Sequence, residues 1–103
     1  MLFRSRAGLI PEKTMLFQNY PNPFNPVTMI TYQLPKSGFV EIKIFDITGR
    51  LVRTLISEQQ EFGSHQILWD SRNESGQTAA SGLYFYQIRF ENSFLSSKML
   101  LLK

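Results

Sequence analysis

Gly82-Leu83-Tyr84-Phe85-Tyr86-Gln87-Ile88-Arg89-Phe90 has a period of two, with Tyr84, Tyr86, Ile88 and Phe90 sharing one face. A helix would scatter these four side chains around its circumference, whereas a strand gathers them. After it, Glu91-Asn92 marks a hairpin and Ser93 to Leu102 returns as a closing strand. Before it, Asp70 to Ser81 is a long loop of Ser, Asn, Glu, Gly and Gln.

The same period runs through the rest of the chain. Met15, Phe17 and Asn19 share a face of a short first strand, which ends at Asn19-Tyr20-Pro21-Asn22-Pro23-Phe24-Asn25-Pro26. That segment holds three of the five prolines, each fixing φ and removing a donor, so it is a stiff, non-helical entry. Val27 to Leu34 is a strand with Ile30, Tyr32 and Leu34 on one face. Pro35 to Gly38 is a turn cluster, and Phe39 to Ile47 sends Val40, Ile42 and Ile44 inward. Asp46-Ile47-Thr48-Gly49-Arg50 is a tight hairpin, in which Asp46 opens the turn and Gly49 takes positive φ. Leu51 to Ile56 is the fourth strand, Ser57 to Gly63 a polar loop, and His65 to Asp70 the fifth strand, with Ile67 and Trp69 on one face. No ten-residue segment has a helical stripe, and Thr54 to Glu61 comes nearest to one.

About seven short strands with regular turn signals predict an all-β, antiparallel β-sandwich whose core holds Trp69, Ile42, Ile44, Tyr86 and Ile88. The length of 103 residues suits one domain. Residues 1–13 read as leader or linker and 14–103 as the sandwich.

Charge narrows the function. In residues 1–13, Arg4, Arg6 and Lys13 against Glu12 leave a net of +2, and the remaining chain is +1. A near-neutral domain has no footprint for nucleic acid. Without cysteine there is neither disulfide nor thiol chemistry. No apolar run approaches the ~20 residues of a membrane-spanning helix. No apolar stretch follows Arg4 and Arg6 as in a secretory signal, so the chain reads as an intracellular protein or a fragment of a longer precursor.

Catalytic candidates do not assemble. His65 is the single histidine, and no serine is placed beside it as a nucleophile. Glu41 and Asp46 fall on opposite faces, which excludes an acid–base pair. The chain reads as a non-enzyme without cofactor. Asp70 to Gly76 offers oxygens for Ca²⁺, but Arg72 occupies an acidic position and Asx turns explain the same residues. Tyr84, Phe85, Tyr86 and Phe90 supply the core or a stacking platform, with Phe85 the member most open to solvent. Lys98-Met99-Leu100-Leu101-Leu102-Lys103 is nearly continuous apolar sequence. Such a run is usually an internal strand, but here it lies at the terminus, where it suits a well-packed closing strand, or a recognition edge or tail presented to another protein.

Four blocks in order, "NYPNPFNPVT" (19–28), "IFDITGRLVRTL" (44–55), "WDSRNESGQTAASGLYFY" (69–86) and "KMLLLK" (98–103), resemble the type A C-terminal sorting domains of the type IX secretion system. The ordered match covers residues 17–103. The chain is also similar to the immunoglobulin-like domain of flagellar hook-capping proteins, in fold and in the "ASGLY" segment. The resemblance implies an immunoglobulin-like sandwich that directs a larger exported protein through the periplasm and outer membrane to the cell surface. It implies two partners, the outer-membrane secretion machinery and a cargo domain upstream in the same precursor. The recognition residues it implies are Gly49, Arg50, Gly82, Tyr84, Lys98, Met99, Leu100, Leu101, Leu102 and Lys103. A structural or adhesive module binding protein or carbohydrate is the alternative, and free strand edges offer a route to transient oligomers.

Overall fold

The structure is a computed structural model, described here for residues 13–103. Its strands are β1 (Met15–Leu16), β2 (Thr28–Leu34), β3 (Gly38–Phe45), β4 (Leu51–Gln60), β5 (Gly63–Trp69), β6 (Gly82–Phe90) and β7 (Ser93–Leu101). They form a three-stranded sheet, β1-β2-β5, and a four-stranded sheet, β4-β3-β6-β7, in which every pairing is antiparallel. The leader/linker assigned to residues 1–13 lies, apart from Lys13, outside the described residues.

Strict alternation places the core between the sheets. Ile30, Tyr32 and Leu34 of β2 face Val40, Ile42 and Ile44 of β3 and Tyr84, Tyr86, Ile88 and Phe90 of β6, all buried. All five residues expected in the core are fully enclosed. Trp69 anchors one cluster with Phe24, Ile30, Ile44, Tyr84, Tyr86, Met99 and Leu101. Tyr32, Leu34, Val40, Ile42, Ile88 and Phe90 form the other. The sandwich therefore has two ends. β1 starts with Met15 opposite Gln33, so the chain enters beside the second cluster. Gly82 pairs with Leu101, so the tail leaves beside the first.

The polar loop expected over Ser57 to Gly63 is shorter: β4 continues through Gln60, with Gly38, Phe39, Val40 and Glu41 opposite Gln60, Gln59, Glu58 and Ser57, and β5 begins at Gly63, which leaves Glu61 and Phe62 as the connection. Polar side chains are compatible with this stretch because β4 is an edge strand, half open to water, and pairing with β3 satisfies its backbone. This also removes the nearest helical candidate. The closing strand is packed along one face. β7 is an edge strand in which Met99 and Leu101 are buried, Leu100 is half-buried, and Lys98 and Leu102 are exposed.

The apolar tail is bordered by the proline segment. Tyr20 bridges Met29 with N–H···O bonds of 2.9 and 2.8 Å, and the chain then crosses to the open edge of β7. There Phe24 donates its N–H to the Leu100 carbonyl at 3.0 Å and accepts from the Leu102 N–H at 3.1 Å. The Asn22 side-chain oxygen accepts from the Leu100 N–H at 2.9 Å. The Phe24 ring meets Trp69 at 5.8 Å between centroids. All three X–Pro bonds of the segment are cis.

Candidate recognition surface

The hairpin between β3 and β4 is built around one carboxylate. Asp46 Oδ1 accepts from the Thr48 N–H at 2.9 Å, the Thr48 hydroxyl at 2.7 Å and the Arg50 N–H at 3.0 Å. Asp46 Oδ2 accepts from Arg50 Nε at 3.2 Å. These donors stabilise the anion, the Thr48 hydroxyl most and the Arg50 N–H next, and lower the Asp46 pKa to about 2. Gly49 has φ +88°, the left-handed geometry the hairpin needs, so its expected conformation is present. Arg50 stays highly exposed while its Nε is held by Asp46.

The "ASGLY" segment stands beside this turn. The Tyr84 hydroxyl donates to the Ala80 carbonyl at 2.7 Å, and its ring meets Trp69 edge-on at 5.5 Å. Burial, then the nearby Asp46 charge, raises the Tyr84 pKa. Tyr84, Ala79 and Ala80 share a cleft of about 340 Å³ with Asp46, Arg50 and Leu51. Gly82, at φ +150°, opens β6 opposite Leu101, while Tyr84 lies opposite Met99. The Lys103 N–H donates to Ser81 Oγ at 3.0 Å.

Gly49, Arg50, Gly82, Tyr84 and residues 98–103 thus gather at the tail end of the sandwich. Burial divides them. Tyr84, Met99 and Leu101 are enclosed and serve the core; Arg50, Lys98, Leu102 and Lys103 are exposed to solvent.

Sequence reasoning missed Asn22, Phe24 and Ser81 as supports of the tail. Phe24, the one large apolar side chain among the prolines between Pro21 and Pro26, was a signal for burial. Asn22 and Ser81 carry no such sign, since their partners are backbone groups far away in sequence. The Tyr86 hydroxyl was equally hidden. It donates to the Phe17 carbonyl at 2.7 Å and accepts from the Asn19 N–H at 2.8 Å, tying the β1 segment to the opposite sheet.

The other candidates have structural roles. His65 stacks on Tyr32 at 5.3 Å, with Nε2 2.7 Å from the Glu61 carbonyl. In the 70–76 loop, Asp70 Oδ1 accepts from Arg53 and the Arg72 N–H, and Asn73 Oδ1 from the N–H groups of Ser75 and Gln77. Glu74 caps the β4 edge by accepting from the Thr54 N–H. These oxygens serve Asx turns and the edge. No group of three metal-ligating His, Asp or Glu side chains occurs among the described residues. Tyr84, Tyr86 and Phe90 are core, and Phe85 is the half-buried member on the outer face.

The FlgD Ig-like domain model matches residues 25–93, from the proline segment to the start of β7. The chain belongs to the FlgD Ig-like domain family. A search of curated proteins finds no match. Among solved structures, PorU from Porphyromonas gingivalis, a dimeric latent form, is similar at 20% identity and TM-score 0.71, over 86% of this chain and 9% of that one. PorZ, an essential surface component of the type IX secretion system of the same organism, is similar at 22% identity and TM-score 0.55, over 96% of this chain and 12% of that one. FlgD from Xanthomonas campestris, which caps the flagellar hook, is similar at 20% identity and TM-score 0.60, over 94% of this chain and 72% of that one. At these identities the likeness establishes the immunoglobulin-like fold. The chain spans about a tenth of the length of PorU and PorZ.

Proposed function

We propose that this domain is a non-catalytic C-terminal sorting domain that directs an upstream cargo through the type IX secretion system to the cell surface. One observation carries the reading. The two most distinctive blocks, "NYPNPFNP" and "KMLLLK", lie at opposite ends of the sequence, yet they are hydrogen-bonded into one unit through Asn22, Phe24, Leu100 and Leu102. A tail fixed in this way is a defined surface rather than a frayed end. Folds similar to this one, embedded in the much longer PorU and PorZ, support an attached module over a free-standing enzyme. The partners on this reading are the outer-membrane machinery and the cargo.

The test is a periplasmic reporter fused to the domain in a type IX-competent host. Three forms are compared: the intact domain, a deletion of residues 98–103, and Lys98→Ala/Lys103→Ala, which keeps the core. Surface delivery by the intact form and its loss on deletion are expected. A folded intact fusion that stays in the periplasm would reject sorting and leave the adhesive module as the reading. If only the deletion fails, by misfolding, the tail is structural and the lysines carry no signal.

A further inference from the structure

We infer that the outer face of the four-stranded sheet, in its half nearest the tail, docks an acidic-rimmed apolar surface on a protein of the export machinery. The inference rests on the sorting function proposed above and specifies where the domain is read.

Register defines the face. Leu51, Phe45, Phe85 and Lys98 form one row across all four strands, because Phe45 pairs with both Leu51 and Phe85, and Phe85 with Lys98. Leu83 and Leu100 form a neighbouring pair, and Lys43 lies in the next row beside Gln87 and Ser96. These side chains point away from the three-stranded sheet, because their neighbours Ile44, Tyr84, Tyr86, Met99 and Leu101 point into the core. No described strand lies over them. Leu51 is 48% exposed, and Phe45, Leu83, Phe85 and Leu100 are half-buried.

Three of the four resemblance blocks meet here. Phe45 and Leu51 come from "IFDITGRLVRTL", Leu83 and Phe85 from "ASGLYFY", and Lys98 and Leu100 from "KMLLLK".

Charge selects the occupant. Lys43 and Lys98 flank the apolar row and form no ion pair among the described residues. The strands place no carboxylate on this half. Two carboxylates at its rim are already held, Asp46 by Thr48 and Arg50 and Glu74 by the Thr54 N–H. The entry half of the same face differs, since Glu41 stands 3.9 Å from Arg89 and Glu91 3.7 Å from Lys36. A second copy is disfavoured, because two-fold apposition brings two faces that each carry Lys43 and Lys98 together, like charge against like. An apolar patch with a carboxylate rim fits both features.

The test uses the reporter fusion, comparing wild type with Lys43→Glu/Lys98→Glu and with the equally charged control Lys36→Glu/Arg89→Glu on the entry half. Melting curves of the purified domains confirm folding. Delivery by wild type and control, with at least a tenfold loss for Lys43→Glu/Lys98→Glu, is the expected result. Undiminished delivery by that folded variant overturns the docking face and leaves the sorting function standing. Equal loss in both variants also overturns it. If Lys43→Glu/Lys98→Glu does not fold, Lys43→Gln/Lys98→Gln takes its place under the same criteria. Failure of the wild-type fusion rejects the sorting function itself. Sedimentation of wild type, but not Lys43→Glu/Lys98→Glu, with phosphatidylglycerol vesicles would reassign the face to a lipid surface and overturn the protein partner.

Discussion

Phe24 and Leu101 are parallel β-bridge partners, the one from the proline segment and the other from the last strand, and both side chains are buried in the same cluster. The bridge closes the tail half of an edge that would otherwise be open to another strand. It also makes the proline segment part of the core.

Phe24→Ala should therefore cost about 3–5 kcal/mol, the usual range for emptying a buried phenylalanine site. Urea unfolding measures the loss. Hydrogen exchange adds a local signature, because the Leu102 N–H, bonded to the Phe24 carbonyl, should exchange faster in the variant. A loss under 1 kcal/mol would mean that the segment merely lies on the surface.

At Gly49, a Cβ would meet no atom within 4 Å, so the cost of a side chain there is backbone strain alone. Gly49→Val should destabilise by about 1–2 kcal/mol and Gly49→Asn by less, since asparagine tolerates φ near +88° better. Equal losses for the two would point to a cause other than φ.

Asp46 sets an acid limit on the hairpin. Its folded pKa, about 2, lies below the ordinary 3.8, so its contribution is complete above about pH 4 and is lost as pH falls through 2. Unfolding measured from pH 6 to pH 2 should show a steeper acid decline for wild type than for Asp46→Ala. Parallel curves would remove Asp46 from the linkage.

Glu91 holds φ +55° in the two-residue turn between β6 and β7. Glu91→Gly should raise stability by roughly 0.5 kcal/mol, because relief of the left-handed strain outweighs the added chain entropy. The exposed Lys36 pair it gives up is worth little. A destabilised variant would show that the Lys36 contact outweighs the strain.

Period-two alternation made Ile42, Ile44, Trp69, Tyr86 and Ile88 legible as core, because strand geometry sends alternate residues to one side whatever the topology. Gly49 was legible because a short hairpin leaves few residues able to turn. The end of β4 was not: Ser57 to Gln60 has a loop's composition, and only pairing with β3 makes it a strand. The tail was legible as a closing strand, but continuous apolar sequence does not show which residues face inward: Met99 and Leu101 enter the core while Leu100 lies on the outer face. Asn22 and Ser81 act on backbone groups distant in sequence, which no local pattern encodes.

The sorting function itself turns on one quantity, the fraction of a reporter, fused ahead of Thr14, that external protease can reach on whole cells. In a type IX-competent host most of the reporter should be accessible, and in an isogenic host without the secretion machinery almost none. Equal, low accessibility in both hosts, with a folded fusion recovered from the periplasm, would contradict a role in sorting.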